Sequence, residues 1–397
     1  MQELLVNTSN DGTKILLVEN GILIEKYEEK PDKEKIEGNI YLGIVENVLP
    51  GMQSAFVNIG QEKNTFIHIR DIIPKVSDET GNKNEKFSKY NIKDYLKQGM
   101  PILVQVRKDS TSIKGARIST HLSLPGRFVV LMPSQNFITI SQKIDKEEER
   151  ERLKNIVKKN LPDGYGAIVR TSAVGKSEEE IAKDLAKIVN QYKEIERQYN
   201  KEKENKNIQP KLIYKSESIL ERMLTDLIDR GLNRICVDDE KVYVEIFNRL
   251  KVENKKIELI ARKDILNMYD LEKQLEQLKN RKIWLKCGGF ITIDKTEALT
   301  AIDVNSGKYT GKQDLEHTTF LVNKEATIEI AKQLRLRDIG GIIIIDYIDM
   351  QEKENEEKII NLLRENLKKD RSKTQIVGFS KLNLLEMTRK HMCSNDD

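Results

Sequence analysis

"LTAIDVNSGKYTG" at residues 299–311 and "GGIIIIDYIDM" at residues 340–350 decide how this chain reads. Each is an apolar run that drives into an aspartate, Asp303 in the first and Asp346 in the second. A run such as "IIIID", entered through Gly340 and Gly341, is apolar enough for a central strand. Between the two lies the helical pattern "EHTTFLVNKEATIEIAKQLRLRD"; after them come a second helix, "KENEEKIINLLRENLKKD", and a strand, "TQIVGFS". That alternation predicts a sheet with parallel strands, whose functional groups gather at the carboxyl ends. A lone strand-end aspartate is usually a turn or a helix cap. Two of them on neighbouring strands are another matter. Ionised carboxylates about 5 Å apart repel by ~3 kcal/mol at an effective dielectric near 20, so such a pair calls for a compensating cation or a shared proton. Oxygen-only ligands with no neighbouring His or Cys suit Mg²⁺, which takes one or two carboxylates plus waters and substrate phosphates. Such an ion can generate hydroxide and neutralise a phosphodiester oxyanion. Asn305, two residues past Asp303 on the same strand face, can orient that carboxylate or bind a metal-bound water.

Outward toward the N-terminus the pattern changes. "KILLVENGILIEKYEEK" reads as two strands about an Asn-Gly turn. Residues 38–73, with glycines at 38, 43, 51 and 60, and the strand "MPILVQVRKD" predict a small closed barrel of the OB type. Phe56, Phe66 and His68 fall on alternating strand positions there. A buried core is the default for each phenylalanine, but on such a barrel's outer face they stack on bases. Residues 81–117 carry nine Lys/Arg against three acidic residues, a net +6 that attracts phosphate. "RFVVLMP" and "FITIS" read as strands, "DKEEERERLKNIVKKNL" as a helix, and "GYGAIVRTSAVG" as a strand opening into a loop. Arg170 and Thr171 at that opening can hold a terminal phosphate, although spacing alone favours a surface ion pair for Arg170. "AVGKS" lacks the P-loop spacing, so nucleotide hydrolysis is a weak reading. His317 and His68 are isolated; a general-base role is open to each, but a structural or solvent-facing position is the favoured reading. A long charged helix follows at 176–207, with a Lys/Glu/Asn-rich linker near 200–209 and a restart at Pro210. Beyond it we read helix "SESILERMLTDLIDRG", strands "RICVDD" and "KVYVEIF", a helix, strand "KIELIAR", then "ILNMYDLEKQLEQLKNR".

Composition narrows the class. The 397 residues suffice for two to four domains. With 68 basic and 64 acidic residues the net +4 argues against a uniformly basic nucleic-acid glove while permitting a local patch. Three scattered cysteines with no C-x-x-C fit a reducing cytoplasm. No apolar stretch reaches the ~20 residues of a membrane span, and no signal peptide opens the chain. A soluble, cytoplasmic protein is expected.

With "AIDVNSG", "EIAKQLRLRDIGGIIIIDYIDM", "LLEMTRK", "GIVENVLPGMQSAFVNIG" and "GAIVRTSAVGKS" in one chain, the sequence closely resembles the ribonuclease E/G family of bacterial and plastid endoribonucleases along essentially its whole length. The resemblance implies an α+β multidomain fold. Its parts would be a split RNase H-like domain (1–35 with 212–280), an inserted OB-fold RNA-binding domain (36–121), a 5′-sensor region (122–211), a DNase I-like catalytic domain (281–392) and a tail (393–397). It implies a Mg²⁺-dependent endoribonuclease for single-stranded RNA, acting in rRNA and tRNA processing and mRNA decay. The products would carry 5′-phosphate and 3′-hydroxyl ends, in a bacterial cytoplasm or plastid stroma. Asp303 and Asp346 match the family's magnesium-binding aspartates and Asn305 the asparagine beside them. Arg170 and Thr171 match the contacts to a 5′-monophosphate, and Val130 the valine that packs on the terminal base. Phe56 and Phe66 match the aromatics of the RNA-binding barrel, and Lys114 lies on the basic stretch approaching the scissile region. After "LLEMTRK" the family continues to a C-P-x-C zinc link between protomers, whereas this chain reads "HMCSNDD" with Cys393 alone. One cysteine cannot supply two sulfurs per protomer. A Zn²⁺-linked dimer and partner docking through a scaffold tail are therefore not expected, and other homo-oligomers are left open. Two rival readings are a non-catalytic RNA-binding protein and a phosphodiesterase acting on DNA.

Overall fold

The structure is a computed structural model that describes residues 1–29, 35–73, 90–110, 114–228, 231–252, 255–307 and 315–391. Cys393 and much of the basic stretch (residues 81–89 and 111–113) therefore lie outside the described residues. Among the described residues the fold is mixed α+β, with four sheets. Two compact units divide the chain, Met1–Lys33 with Leu227–Asn395, and Glu34–Asp226. Among the described residues no helix is long and apolar enough to cross a membrane.

In the first unit, strands Gln2–Ser9, Gly12–Glu19 and Ile22–Glu29 form an antiparallel meander. Asn20 and Gly21 both adopt positive φ, 50° and 80°, as the tight turn between the last two strands requires. The first strand also pairs in parallel with Arg234–Val237, which pairs in parallel with Glu258–Ala261. The segment "KVYVEIF", read above as a strand, is instead part of the helix Glu240–Val252. The Asp239 carboxylate accepts the Val242 N–H at 2.9 Å, a helix cap. Ile246 and Leu250 then bury at helical spacing. A capped start and a four-residue period override the strand propensity of its two valines.

The second sheet of this unit holds the opening stretch. Its order is Lys282–Trp284, Phe290–Lys295, Leu299–Asn305, Gly341–Asp346, Leu384–Arg389, Thr374–Phe379. Only the Leu299–Asn305 and Gly341–Asp346 pair is parallel; every other pairing is antiparallel. The expected parallel sheet is thus a mixed one, because the single long helix Leu315–Leu336 makes the only crossover between paired strands. Ile291, Ile293, Ile302, Val304, Ile343, Ile345, Leu385 and Met387 pack on one face against Val322, Ala326, Ile330 and Leu334 and against Ile359, Leu363 and Leu367 of the second helix, Lys353–Leu367. Along Leu299–Asn305 the buried Thr300, Ile302 and Val304 alternate with the exposed Ala301 and Asp303, so the other face is open. At the far end of the Gly341–Asp346 strand the buried Arg389 bridges two carboxylates. Its Nε donates to Asp370 and its Nη1 to Asp338, both at 2.8 Å.

In the second unit Ile40–Leu49, Ser54–Asn58, Thr65–His68, Arg117–Ser119 and Pro101–Lys108 close on themselves through pairing of the first with the last. This is a five-stranded, OB-like barrel with Val45, Val57, Ile67, Val104 and Ile118 inside. Lys211–Tyr214 adds to it along Ile40–Leu49. A smaller sheet, Leu124–Pro125, Val129–Met132, Gly166–Val169 and Ile138–Ile140, packs on helices Glu147–Asn160 and Glu178–Lys203. The second helix ends at Lys203, inside the expected linker, and starts with a capping box between Ser177 and Glu180. That cap accounts for the G-K-S of "AVGKS" without a nucleotide.

Candidate active site

Asp303 and Asp346 are in-register partners of the one parallel pair, so they stand side by side, one strand spacing (about 5 Å) apart, on the open face. Thr292 flanks Asp303 on one side and Leu384 flanks Asp346 on the other. Asn305 Nδ2 donates to Asp303 Oδ2 at 2.6 Å, which fixes that carboxylate. Burial, the Asp303 charge and the Asp349 charge together push the Asp346 carboxyl above its ordinary range. Asp349 is a contributor that sequence reading missed, although "DYID" places it three residues on. Among the described residues no group of three or more His, Cys, Asp or Glu side chains is arranged to hold a metal ion. Two hard oxygen donors that repel one another, open to solvent, nevertheless fit an ion that keeps most of its waters or takes substrate oxygens. His317 lies exposed on the Leu315–Leu336 helix.

The hairpin beside this pair is held from behind. Glu325, on the Leu315–Leu336 helix, accepts the Cys287 N–H at 2.9 Å and the Lys286 N–H. A Cβ on Gly289 would stand 2.8 Å from the Asn305 carbonyl oxygen, so glycine is what lets the hairpin approach the strand end.

Arg170, Thr171 and Val130 belong to the second unit. Val130 is half-buried and pairs with Ile168, two residues before Arg170. Arg170 follows the strand Gly166–Val169, and Thr171 begins a 3-10 turn. The guanidinium donates from Nη1 to the Gly126 carbonyl and from Nη2 to Asp226 Oδ1, both at 2.7 Å. The ion pair that spacing favoured is thus present, and it uses two of the five N–H donors of an arginine. Its partner is 56 residues away in the chain, beyond the reach of local patterning. The loop after Arg170 is tethered: Glu149 accepts the Gly175 N–H at 3.0 Å and both Nε and Nη2 of Arg152 at 2.7 Å. The Arg152 guanidinium, helped by that backbone N–H, holds the Glu149 carboxyl down at about 2. Asp184 accepts the N–H groups of Arg127 and Phe128, at 3.1 and 2.8 Å, and so fixes the approach to Val130.

On the barrel, Phe56 and Phe66 are cross-strand partners on the outer face, with rings edge-to-face and centroids 6.2 Å apart. Phe56 is 37% exposed, which removes the buried-core reading for it. His68 is half-buried and accepts the Arg70 N–H at 3.1 Å; burial and Arg70 lower its pKa, as expected for a neutral structural imidazole. Arg117, which sequence reading passed over, pairs with Phe66 and is held by Asp71 at 2.9 Å. Lys114 is exposed three residues before it.

Comparisons with known proteins agree in direction. The pattern describing the Ribonuclease E/G family matches residues 123–392. The chain is 40% identical to Ribonuclease G of Salmonella typhimurium (strain SL1344) over 396 residues, covering 98% of this chain and 79% of that protein. It is 39% identical to Ribonuclease G of Escherichia coli (strain K12) with the same coverage. Against Ribonuclease E of Haemophilus influenzae (strain ATCC 51907 / DSM 11121 / KW20 / Rd) it is 34% identical over 406 residues, 99% of this chain but 42% of that longer protein. With a match through two thirds of its length and relatives of this similarity along nearly all of it, the chain belongs to the ribonuclease E/G family.

Proposed function

As a member of this family the chain is an endoribonuclease, and we propose that it hydrolyses single-stranded RNA at the open face carrying Asp303 and Asp346. The observation that carries this reading is the parallel register that sets the two carboxylates side by side, with Asn305 fixing one of them. Asp303 and Asp346 would hold Mg²⁺, which when bound supplies a nucleophilic hydroxide and neutralises charge on the phosphodiester. Asn305 keeps the Asp303 oxygens turned to the open face, and cleavage leaves 5′-phosphate and 3′-hydroxyl ends.

Arg170, Thr171 and Val130 are the residues we assign to sensing a 5′-monophosphate. Asp226 and the Gly126 carbonyl fix the guanidinium plane, which supports a site preformed before RNA arrives. Phe56, Phe66 and Lys114 on the barrel are assigned to binding the strand by stacking and charge. In this reading the domains are those the resemblance implies: RNase H-like, OB-fold, 5′-sensor and DNase I-like. The substrates are rRNA and tRNA precursors and mRNA. A reducing, cytoplasmic setting suits the reduced cysteines Cys236 and Cys287.

The test incubates the chain with a 5′-phosphorylated fluorescent oligoribonucleotide, with and without Mg²⁺, beside the double variant Asp303→Asn, Asp346→Asn. Cleavage should need both the ion and the carboxylates, while the double variant keeps RNA affinity within a few-fold. Persistent cleavage by the variant would remove the assignment. An equal rate on a matched DNA strand would favour the broader phosphodiesterase reading.

A further inference from the structure

The carboxylate face continues outward to the chain's single tryptophan. Trp284 pairs across strands with Phe290, and Phe290 pairs with Asn305, so the three stand in one row beside the row of Asp303 and Asp346. The Trp284 and Phe290 rings meet edge-to-face with centroids 5.3 Å apart. Lys282 places its ammonium 3.5 Å from the Phe290 centroid and 4.1 Å from that of Trp284. Trp284 is nevertheless 60% exposed. Trp284 lies two strand spacings, about 10 Å, from the Asn305 strand, the reach of a short piece of single strand.

A cross-strand aromatic pair can simply stabilise an edge hairpin. Three features go beyond that role. The larger ring leaves most of its surface to solvent. A cation is preset against both rings, where it can meet a phosphate. The cluster is also continuous, through Asn305, with the carboxylates to which cleavage is assigned. We propose that Trp284, with Phe290 and Lys282, is a base-stacking platform that holds a nucleotide of single-stranded RNA next to the scissile phosphate, Lys282 taking a phosphate of the same strand. This rests on the assignment of Asp303 and Asp346 as the cutting site.

Because Trp284 is the only tryptophan, its own emission reports the platform. The full chain carrying Asp303→Asn and Asp346→Asn is titrated with a 5′-phosphorylated, fluorescein-labelled oligoribonucleotide. Tryptophan emission and fluorescein anisotropy are followed together. Stacking predicts saturable quenching with the midpoint of the anisotropy curve. Trp284→Leu in the same background should weaken binding about 10-fold, the size of one lost base–aromatic stack, and Trp284→Phe should restore most of it. In the otherwise unaltered chain Trp284→Leu should raise KM for RNA by a similar factor with kcat within about twofold. Lys282→Met should flatten the slope of log affinity against log salt by about 0.7, one phosphate contact on a single strand. Thermal unfolding of each variant reports any purely structural effect, which would move Tm and leave affinity and the salt slope alone. Unchanged emission at saturating RNA, or Trp284→Leu binding within twofold of the parent, overturns the platform. Those results, with the unaltered chain still cleaving RNA, would leave the endoribonuclease assignment standing. Quenching in the double variant, with the unaltered chain unable to cleave RNA in Mg²⁺, would leave the platform and remove the cutting site.

Discussion

Asp346→Asn isolates the energetic cost of the carboxylate pair. Asp303 and Asp346 are register partners on adjacent strands, about 5 Å apart. At that separation two full charges repel by ~3 kcal/mol at an effective dielectric of ~20 and by ~0.8 kcal/mol in water. Both residues are exposed, so solvent screening brings the value close to the lower figure, about 1 kcal/mol. Asp346 is the partner to change, because Asp303 would also lose the hydrogen bond from Asn305. The amide keeps the shape and removes the charge. In EDTA at neutral pH the variant should be about 1 kcal/mol more stable than the parent, ~2 °C in Tm for a unit of this size.

The sign with pH follows from the raised carboxyl. A group that holds its proton more tightly folded than unfolded loses stability for the fold as pH rises from its ordinary pKa to its raised one. The variant's advantage is therefore present above that interval and disappears below it. Thermal and urea unfolding in EDTA, from neutral pH down through the carboxylate range, measures this. On the proposed Mg²⁺ assignment, millimolar Mg²⁺ should then stabilise the parent more than the variant, as a ligand of the folded pair does. A variant equal to or weaker than the parent at neutral pH without divalent ions, or an advantage that grows on acidification, would refute the reasoning.

Arg170→Gln should bring the ratio of kcat/KM for 5′-monophosphate over 5′-hydroxyl oligoribonucleotides down to about one, and an unchanged ratio would detach Arg170 from end sensing. Phe56→Ala, at an exposed barrel position, should raise KM about 10-fold with kcat nearly constant, as for the loss of one stacking ring. Arg389→Met strands Asp370 and Asp338 as buried charges without their shared cation, and urea unfolding should show a loss of about 3–5 kcal/mol.

Much of the candidate site was legible because its parts are local. An apolar run ending in aspartate marks a strand end in any fold, and Asn305 follows two residues on, on the same face. The barrel was legible through its glycine-marked turns. What was misread turned on contacts between distant segments. The four isoleucines at 342–345 look buried on both faces. Ile343 and Ile345 are, whereas Ile342 is 51% exposed, because both helices pack on one side of the sheet. "KVYVEIF" has the residues of a strand, but the Asp239 cap and the burial of Ile246 and Leu250 made it a helix.

By itself the sequence determined the family and the presence of a barrel, and it singled out the candidate side chains, since these depend on residue type and short-range period. Only the tertiary structure decided that Asp303 and Asp346 share a register, that Asp226 holds Arg170 from 56 residues away, and that Trp284 stands on the same open face as the carboxylates. Strand order, register and the choice of covered face are fixed by which apolar surfaces bury against each other. That is a property of the whole packed sheet, and no single segment carries it.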